Sequence, residues 1–226
     1  RLESVDFLIY SIMMNPFVHQ KYVLPANAHL IKVPLWGTED PSEHLVDIPF
    51  SQVYLAKTRT DESVVRKDFL PLFDDLVGEM LSFEKDSSRL GRTFLEMYRF
   101  FRQYDYRSSF KSLVVWERFK QLVTQRVPEL KLPVPTLFDL TQSLGWLYRF
   151  LTILNTPLPQ VDVSHSAAAA FCGIPCVLAK LDRRVPYLLT EHGVYVREQY
   201  LSRGRLQLSS YLRSFMMLMV RSIAEL

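Results

Sequence analysis

The sequence has few of the residues on which several large classes of protein depend. Only two cysteines occur in 226 residues, Cys172 and Cys176, and their spacing fits neither a redox Cys-x-x-Cys pair nor a zinc site. We interpret them as buried, reduced thiols in a cytoplasmic protein. The seven glycines form no phosphate-binding loop. Neither a metal site nor a bound cofactor is therefore expected.

A strong charge of one sign and long apolar runs are also missing. The 27 Lys and Arg residues against 24 Asp and Glu residues leave a net charge of +3, which is too little to indicate a nucleic acid partner. No apolar run approaches the roughly 20 residues that cross a bilayer, so no transmembrane segment is predicted. Residues 211–226 are expected to form an amphipathic helix that packs on a partner domain or on the chain's own core.

The composition that remains is that of a globular α/β protein, with 48% hydrophobic residues. Residues 5–14 are a continuous apolar run, which predicts a strand buried on both faces. Residues 28–36 are a second strand candidate, which Pro34 should end or place at an edge. The chain begins with Arg rather than Met, and the strand pattern is already present at residue 5. We therefore expect it to be part of a longer protein.

Helical periodicity replaces the strand pattern between residues 43 and 155, where apolar residues recur at steps of three and four. Two of the helices are predicted at residues 61–83 and 108–126. The aromatic residues of this region are expected to be core. The whole block is interpreted as a large helical insertion between the early strands and a later βαβ unit. Two apolar stripes mark further helices: Leu90, Phe94, Met97 and Phe101, and then Leu137, Leu140, Leu144, Leu147, Leu151 and Leu154.

A βαβ unit is predicted at residues 161–198, and the rest of the chain is organised around it. Ser166 is the predicted N-cap of its helix, and residues 167–170 favour a helix by propensity. Gly173 and Pro175 interrupt the pattern, so a kink or a restart of the helix is expected there. If the two strands are parallel neighbours, both end at one edge of a sheet, where open α/β sheets bind ligands. The three elements are a strand at residues 161–164, a helix at about 166–180 and a strand at 185–189.

Polar residues follow both strands of this unit. His165 lies at the mouth of the predicted crevice, where its imidazole can bind a hydroxyl or a phosphate oxygen, although a lone histidine is more often structural. Glu191 directly follows an apolar run and needs a partner or a ligand if it is buried. The alternative is that Thr190 and Glu191 cap the next helix, with Gly193 in the turn. Further side chains of the type that line sugar or phosphate sites are His192, Tyr195, Arg197 and Glu198.

Two of these segments resemble a known family. Residues 162–166 (DVSHS) and 186–195 (PYLLTEHGVY), with Arg197 and Glu198 after them, resemble the Pel exopolysaccharide glycosyltransferase group within the family 4 retaining glycosyltransferases. The early segments 24–27 (LPAN) and 33–37 (VPLWG) resemble the N-terminal domain of the same group.

The resemblance implies a GT-B hexosyltransferase of exopolysaccharide biosynthesis. Such an enzyme has two Rossmann-like domains and transfers a sugar from a nucleotide donor, typically UDP-glucose, to an acceptor glycan. Residues 1–226 would be the N-terminal, acceptor-side domain, with a Rossmann-like parallel sheet. Its implied partners are the nucleotide-binding C-terminal domain of the same protein and a polysaccharide synthase complex. The chain alone is expected to be inactive, because the groups that bind the diphosphate belong to the C-terminal domain.

Roles for individual residues follow from the resemblance alone. It implies catalytic roles for Glu191 and His192, and substrate binding by His165, Ser166, Gly193, Tyr195, Arg197 and Glu198. Two other functions remain open. One is a non-catalytic α/β module whose helical insertion and C-terminal helix bind partners in a polysaccharide-export or envelope complex. The other is a regulatory domain that binds a small molecule unaided.

Overall fold

Two parallel strands open the fold. The computed structural model describes residues 4–13, 22–35, 48–203 and 207–226. Strand β1 (Phe7–Met13) pairs in parallel with β2 (Ala28–Pro34). Both predicted strands are confirmed within the described residues, and β2 ends at Pro34, which has no amide hydrogen to donate to a ladder. The predicted ends at Met14 and Trp36 lie outside the described residues.

The expectation that β1 is buried on both faces is wrong. Its first residues Phe7, Leu8 and Ile9 keep 39%, 37% and 40% of their surface exposed. Tyr10 and Ile12, further along the strand, pack against the core and are partly buried. Among the described residues β1 has a single neighbouring strand. A pair of two strands leaves more of its surface open to solvent than a strand in the middle of a wide sheet.

Helices make up the middle of the chain, and residues 48–155 as described contain no strand. Residues 43–47 of the predicted insertion lie outside the described residues. The helices are α1 (Phe50–Arg59), α2 (Glu62–Val64), a π-helical turn (Val65–Phe69), α3 (Leu70–Met80), α4 (Ser87–Phe100), α5 (Tyr106–Phe110), α6 (Leu113–Glu129), α7 (Leu137–Phe150) and a 3-10 helix (Leu151–Asn155).

Short polar side chains set the starts of these helices, because each accepts a hydrogen bond from a free amide of the first turn. The helix predicted at 61–83 begins after its cap Asp61 and ends at Met80. The helix predicted at 108–126 is two helices, since Ser112 caps α6 and separates it from α5. The side-chain caps of α2, α4, α5, α6 and α7 are Asp61, Asp86, Asp105, Ser112 and Thr136.

Aromatic side chains form the centre of the core, as predicted. The Phe69 ring is fully buried, and its centroid lies 5.2 to 6.0 Å from those of four other phenylalanines. The stripe on α4 is buried as predicted. In the second stripe the prediction is wrong for Leu137, which is 69% exposed. Leu137 is the first residue of α7 and precedes the turn that contacts the core. The four partners of Phe69 are Phe73, Phe100, Phe101 and Phe110.

The C-terminal helix α10 (Ser210–Ala224) packs on the chain's own core. Tyr211, Phe215 and Met219 on one of its faces are each 1% exposed. The sequence allows this helix to pack on a partner domain or on the chain's own core, and in the structure it packs on the core. No helix in the described part of the chain is both long and apolar enough to cross a membrane.

The βαβ unit is present with shifted boundaries. Strand β3 (Ser164–Ser166) pairs in parallel with β4 (Tyr187–Leu189), and α8 (Ile174–Arg183) connects them. The predicted helix start at Ser166 is wrong, because Ser166 is the last residue of β3 and residues 167–169 are a bend. Of the predicted kink or restart at Pro175, the structure has the restart, because Pro175 lies in the first turn of α8, where a missing amide hydrogen costs nothing.

Candidate functional site

The carboxyl ends of β3 and β4 lie side by side, as the prediction of parallel strands requires. His165 is opposite Leu188 in the register, and the Thr190 amide donates to the Ser166 carbonyl at 2.9 Å. In addition to these backbone contacts, the His165 Nε2 atom lies 2.8 Å from the Thr190 Oγ1 atom. Two side chains that are 25 residues apart in the sequence therefore meet on the surface at this edge.

Thr190 is a residue whose position the sequence reasoning missed. The sequence places Thr190 in the polar cluster after the second strand or at the cap of the following helix, and does not reveal that its hydroxyl contacts the imidazole of His165. The contact could have been predicted from the position of Thr190 directly after β4, because the first residue beyond a strand lies next to the end of a parallel neighbour.

Ser166 is oriented differently from the exposed His165 beside it. Its side chain is buried, with 4% of the residue exposed, and its Oγ atom donates to the Ala168 carbonyl at 2.5 Å. The hydroxyl proton is therefore used within the loop that leads to α8. The substrate-binding role that the resemblance implies for Ser166 remains a prediction, and a ligand would have to approach the lone pairs of its hydroxyl.

Glu191 makes a contact of the kind expected for a helix cap, which is one of the two possibilities that the sequence left open. The residue is exposed, so the argument from a buried charge does not apply to it. Its Oε1 atom accepts a hydrogen bond of 3.3 Å from the amide of Tyr195, the first residue of α9 (Tyr195–Arg203). Glu191 therefore contacts the first turn of α9, where a carboxylate is favoured by the free amides and the helix dipole. Its implied catalytic role remains a prediction.

The turn between β4 and α9 brings a second carboxylate close. A methyl group added to Gly193 would lie 2.1 Å from the Glu198 Oε1 atom, so the absence of a side chain at Gly193 leaves room for this carboxylate. Glu198 belongs to the first turn of α9, and its amide donates to the Val194 carbonyl. His192 and Arg197, the other predicted side chains of this segment, are exposed.

Behind the exposed edge the unit is packed more tightly. A methyl group on Gly173 would lie 2.9 Å from the Tyr187 hydroxyl, so this ring lies directly against the start of α8. Burial raises the pKa of Tyr187 and of the Cys176 thiol above their ordinary values. Cys176 is buried as expected, whereas Cys172 is exposed, which corrects that expectation. Cys172 lies in the 3-10 turn that precedes α8 and projects away from the core.

The arrangement offers an imidazole and two carboxylates at one exposed edge, which suits hydrogen bonding to a ligand with several hydroxyl groups. In the described part of the chain, no three His, Cys, Asp or Glu side chains gather closely enough to hold a metal ion. A separate pocket lies among the helices between residues 110 and 148, a region whose aromatic residues the sequence predicts to be core.

Comparisons with known proteins add one result. No curated protein matches this chain. No solved structure matches it either. The sequence model of a family described as a domain of unknown function, DUF3492, matches residues 1–226. The chain therefore belongs to the DUF3492 family.

Proposed function

We propose that this chain is the N-terminal, acceptor-side domain of a cytoplasmic GT-B glycosyltransferase. The enzyme would transfer a hexose, with glucose from UDP-glucose as the first candidate, to an acceptor glycan in exopolysaccharide biosynthesis. The observation that carries the proposal is the contact between His165 and Thr190 at the carboxyl ends of β3 and β4, with Glu191 and His192 directly after it. Ligands of α/β proteins bind at this end of parallel strands.

The chemistry of this edge supports a sugar rather than a nucleotide diphosphate. The exposed His165 and Glu191 can exchange hydrogen bonds with sugar hydroxyls. The negative charge that develops on a departing diphosphate needs cations or helix N-termini. Arg197 is the cation that this segment offers. In the proposal, the C-terminal domain of the same protein supplies the other groups that bind the donor.

Each side chain of the edge has a proposed task. His165 binds a hydroxyl of the transferred sugar, and Thr190 fixes the orientation of its ring. Glu191 and His192 act on the reacting groups, and the contact of Glu191 with α9 holds their loop in place. Gly193 lies with Glu191 and His192 on the floor of the cleft, and Glu198 lies with Arg197 on its rim. Tyr195 and Arg197 extend the surface that the acceptor crosses. The Rossmann-like sheet of the proposal would include the two parallel pairs, β1 with β2 and β3 with β4.

The test uses the natural protein that contains this chain, with UDP release from UDP-glucose as the readout. His165→Ala and Glu191→Gln should each lower turnover by about a hundredfold or more. Because both side chains are exposed and a glutamine at 191 can still accept from the Tyr195 amide, the free energy of unfolding should change by less than about 1 kcal/mol. The matched controls are His29→Ala, on the exposed side of β2, and Glu84→Gln, in the loop before α4, and both should retain full turnover.

Two outcomes would refute the proposal. If His165→Ala lowers turnover and the free energy of unfolding in proportion, the contact with Thr190 is structural. If the natural protein releases no nucleotide from UDP-glucose or from other nucleotide sugars, it is not a glycosyltransferase. Tight binding of a small ligand by residues 1–226 alone, without turnover in the natural protein, would favour the regulatory domain.

One observation favours the protein-interaction module as a second candidate. Leu188 and Leu189 on β4 are 60% and 48% exposed, whereas parallel strands are usually covered on both faces. A partner could cover them, and so could the C-terminal domain of the proposed enzyme. The C-terminal helix is not the binding surface of such a module, because its apolar face is buried in the core. The UDP-release assay separates the two candidates.

A further inference from the structure

The helical part of the chain contains a pocket of about 360 Å³ that lies outside the βαβ unit. This volume is at the lower end of the range of roughly 300–1,000 Å³ that is typical of small-molecule sites. The end of α5, the start of α6 and the middle of α7 line it. The lining residues are Phe110, Lys111, Ser112, Trp116, Thr141, Leu144, Gly145 and Tyr148.

The walls of the pocket are mainly flat and apolar. Trp116 on α6 and Tyr148 on α7 are both partly exposed, and both line the pocket. Gly145, one turn before Tyr148, opens the space between them. Apart from its chain neighbours and the backbone of its own helix, no atom lies within 4 Å of the point where a side chain at Gly145 would begin. Such walls fit the flat face of a ring system, which gains stabilisation by stacking on aromatic side chains.

The charge at the pocket is positive and unneutralised. Lys111 is the charged residue of the lining, and its Nζ atom lies 5.0 Å from the centre of the Tyr148 ring. No carboxylate in the described part of the chain forms an ion pair with Lys111. Lys120 makes an informative contrast, because it lies 5.4 Å from the centre of the Trp116 ring but pairs with Glu117 at 2.8 Å. An acidic group on a ligand would find its partner at Lys111.

Two hydroxyl groups of the lining, those of Ser112 and Thr141, already donate to backbone carbonyls. The Ser112 hydroxyl donates to the Ser109 carbonyl at 2.9 Å and accepts from the Val115 amide, as the cap of α6. The Thr141 hydroxyl donates to the Leu137 carbonyl at 2.9 Å. A sugar presents hydroxyl groups around its whole rim and needs many partners, for which a mainly apolar lining with two occupied hydroxyl groups is poorly suited. The pocket therefore suits an apolar ring body with one acidic group.

We propose that this pocket binds a small organic anion with a flat, apolar ring system. The ring system lies between Trp116 and Tyr148 over the gap at Gly145, and its acidic group pairs with Lys111. Nothing in this site depends on the edge of β3 and β4, so its ligand is distinct from the sugar substrates proposed above.

The probe for the test is 1-anilinonaphthalene-8-sulfonate, which joins a flat ring system to a sulfonate and fluoresces when it is shielded from water. Titration of the chain should show a single saturable site. Gly145→Leu fills the pocket and should weaken binding by at least about tenfold, since a leucine side chain takes the place of the ring system. Gly78→Leu is the matched control, because Gly78 is also helical with open space beside it but lies on α3, outside the pocket.

The ionic contact is tested separately. Lys111→Met should weaken binding of the sulfonate by about fivefold, as expected for one ionic contact at a partly open site. Lys120→Met, the control in which the charge is already paired, should bind as the wild type does. N-phenyl-1-naphthylamine has the same ring body without the acidic group, and its affinity should not change with Lys111→Met.

Several results would overturn the proposal. They are equal binding by Gly145→Leu and Gly78→Leu, equal effects of the two lysine substitutions, or uptake of many dye molecules without saturation. Circular dichroism shows whether each variant is folded. If Gly145→Leu does not fold, the comparison of Lys111→Met with Lys120→Met decides, since both side chains are on the surface or only partly buried.

Discussion

Asp139 ties the start of α7 to the start of α10, and its removal should destabilise the fold more than the loss of an ordinary helix cap. The residue is 3% exposed. Its Oδ2 atom accepts from the Thr136 amide at 2.9 Å and from the Thr136 hydroxyl at 2.8 Å. Its Oδ1 atom accepts from the Ser209 hydroxyl at 2.6 Å, and Ser209 in turn caps α10. One carboxylate therefore serves two helix starts, through a contact between residues that are 70 positions apart.

The magnitude follows from these three contacts. A hydrogen bond to a charged acceptor contributes roughly 1.5–3 kcal/mol, but the desolvation of the buried carboxylate offsets part of that gain. We therefore expect Asp139→Ala to lower the free energy of unfolding by about 3 kcal/mol. Asp86→Ala is the control, since Asp86 is an exposed cap with a single bond from the Arg89 amide, and it should cost about 1 kcal/mol.

The pH dependence should show the same contacts. Burial acts to raise the pKa of Asp139, but hydrogen bonds from Ser209 and Thr136 outweigh it and hold the pKa below its ordinary value. A lowered pKa in the folded state means that the stabilisation is present above the ordinary aspartate pKa of about 4 and is lost as the pH falls through the folded value. The difference between wild type and Asp139→Ala should therefore shrink below about pH 4.

The assay is urea unfolding followed by circular dichroism, with a double-mutant cycle between Asp139→Ala and Ser209→Ala. The coupling energy should be about 1–2 kcal/mol, since the two side chains share one short hydrogen bond. The reasoning fails if Asp139→Ala costs no more than Asp86→Ala, or if the coupling between Asp139 and Ser209 is zero within error.

Two further predictions use the same unfolding assay. Phe69→Ala should lower the free energy of unfolding by about 4 kcal/mol, because the ring is fully buried among four others. Phe50→Ala, at an 82% exposed position, should lower it by less than about 0.5 kcal/mol. Similar losses for the two variants would contradict the assignment of the core. The Tyr211 hydroxyl is buried and has no partner within hydrogen-bonding geometry in the described structure; burial raises the pKa of Tyr211 to about 12, although the nearby Ser143 hydroxyl acts to lower it. Tyr211→Phe should therefore raise the free energy of unfolding by about 1 kcal/mol. The wild type should also lose more stability than the variant as the pH rises from about 10 through 12. A destabilised variant would show that the hydroxyl has a partner.

The helices could be predicted from the sequence because their signals are local. A helix is held by hydrogen bonds between residues four apart, so the stripe on α4 and the cap Asp61 carry the information within one segment. The same holds for the amphipathic face of α10. The exposed Leu137 shows the limit of such a pattern, since the stripe continues one position beyond the part of α7 that contacts the core.

The boundaries of the βαβ unit required the tertiary structure. Residues 167–170 favour a helix by their own propensity, but pairing of β3 with β4 extends to Ser166 and the chain has to turn before α8 begins. The sequence contained a correct signal in Pro175, which is common in the first turn of a helix. From the sequence, Pro175 could mark a kink or a restart of the helix, and the position of the strands decided between the two.

The arrangement of the two candidate sites is also a tertiary property. The sequence placed His165 and Glu191 at the ends of parallel strands, because strand order and chain direction follow from the pattern of elements. It did not show that Thr190 contacts His165, or that Lys111 and Tyr148 face one pocket. These contacts join residues that are 25 and 37 positions apart, and their distance depends on how whole helices and strands pack. Local periodicity determines which face of an element is apolar, whereas packing determines which faces meet.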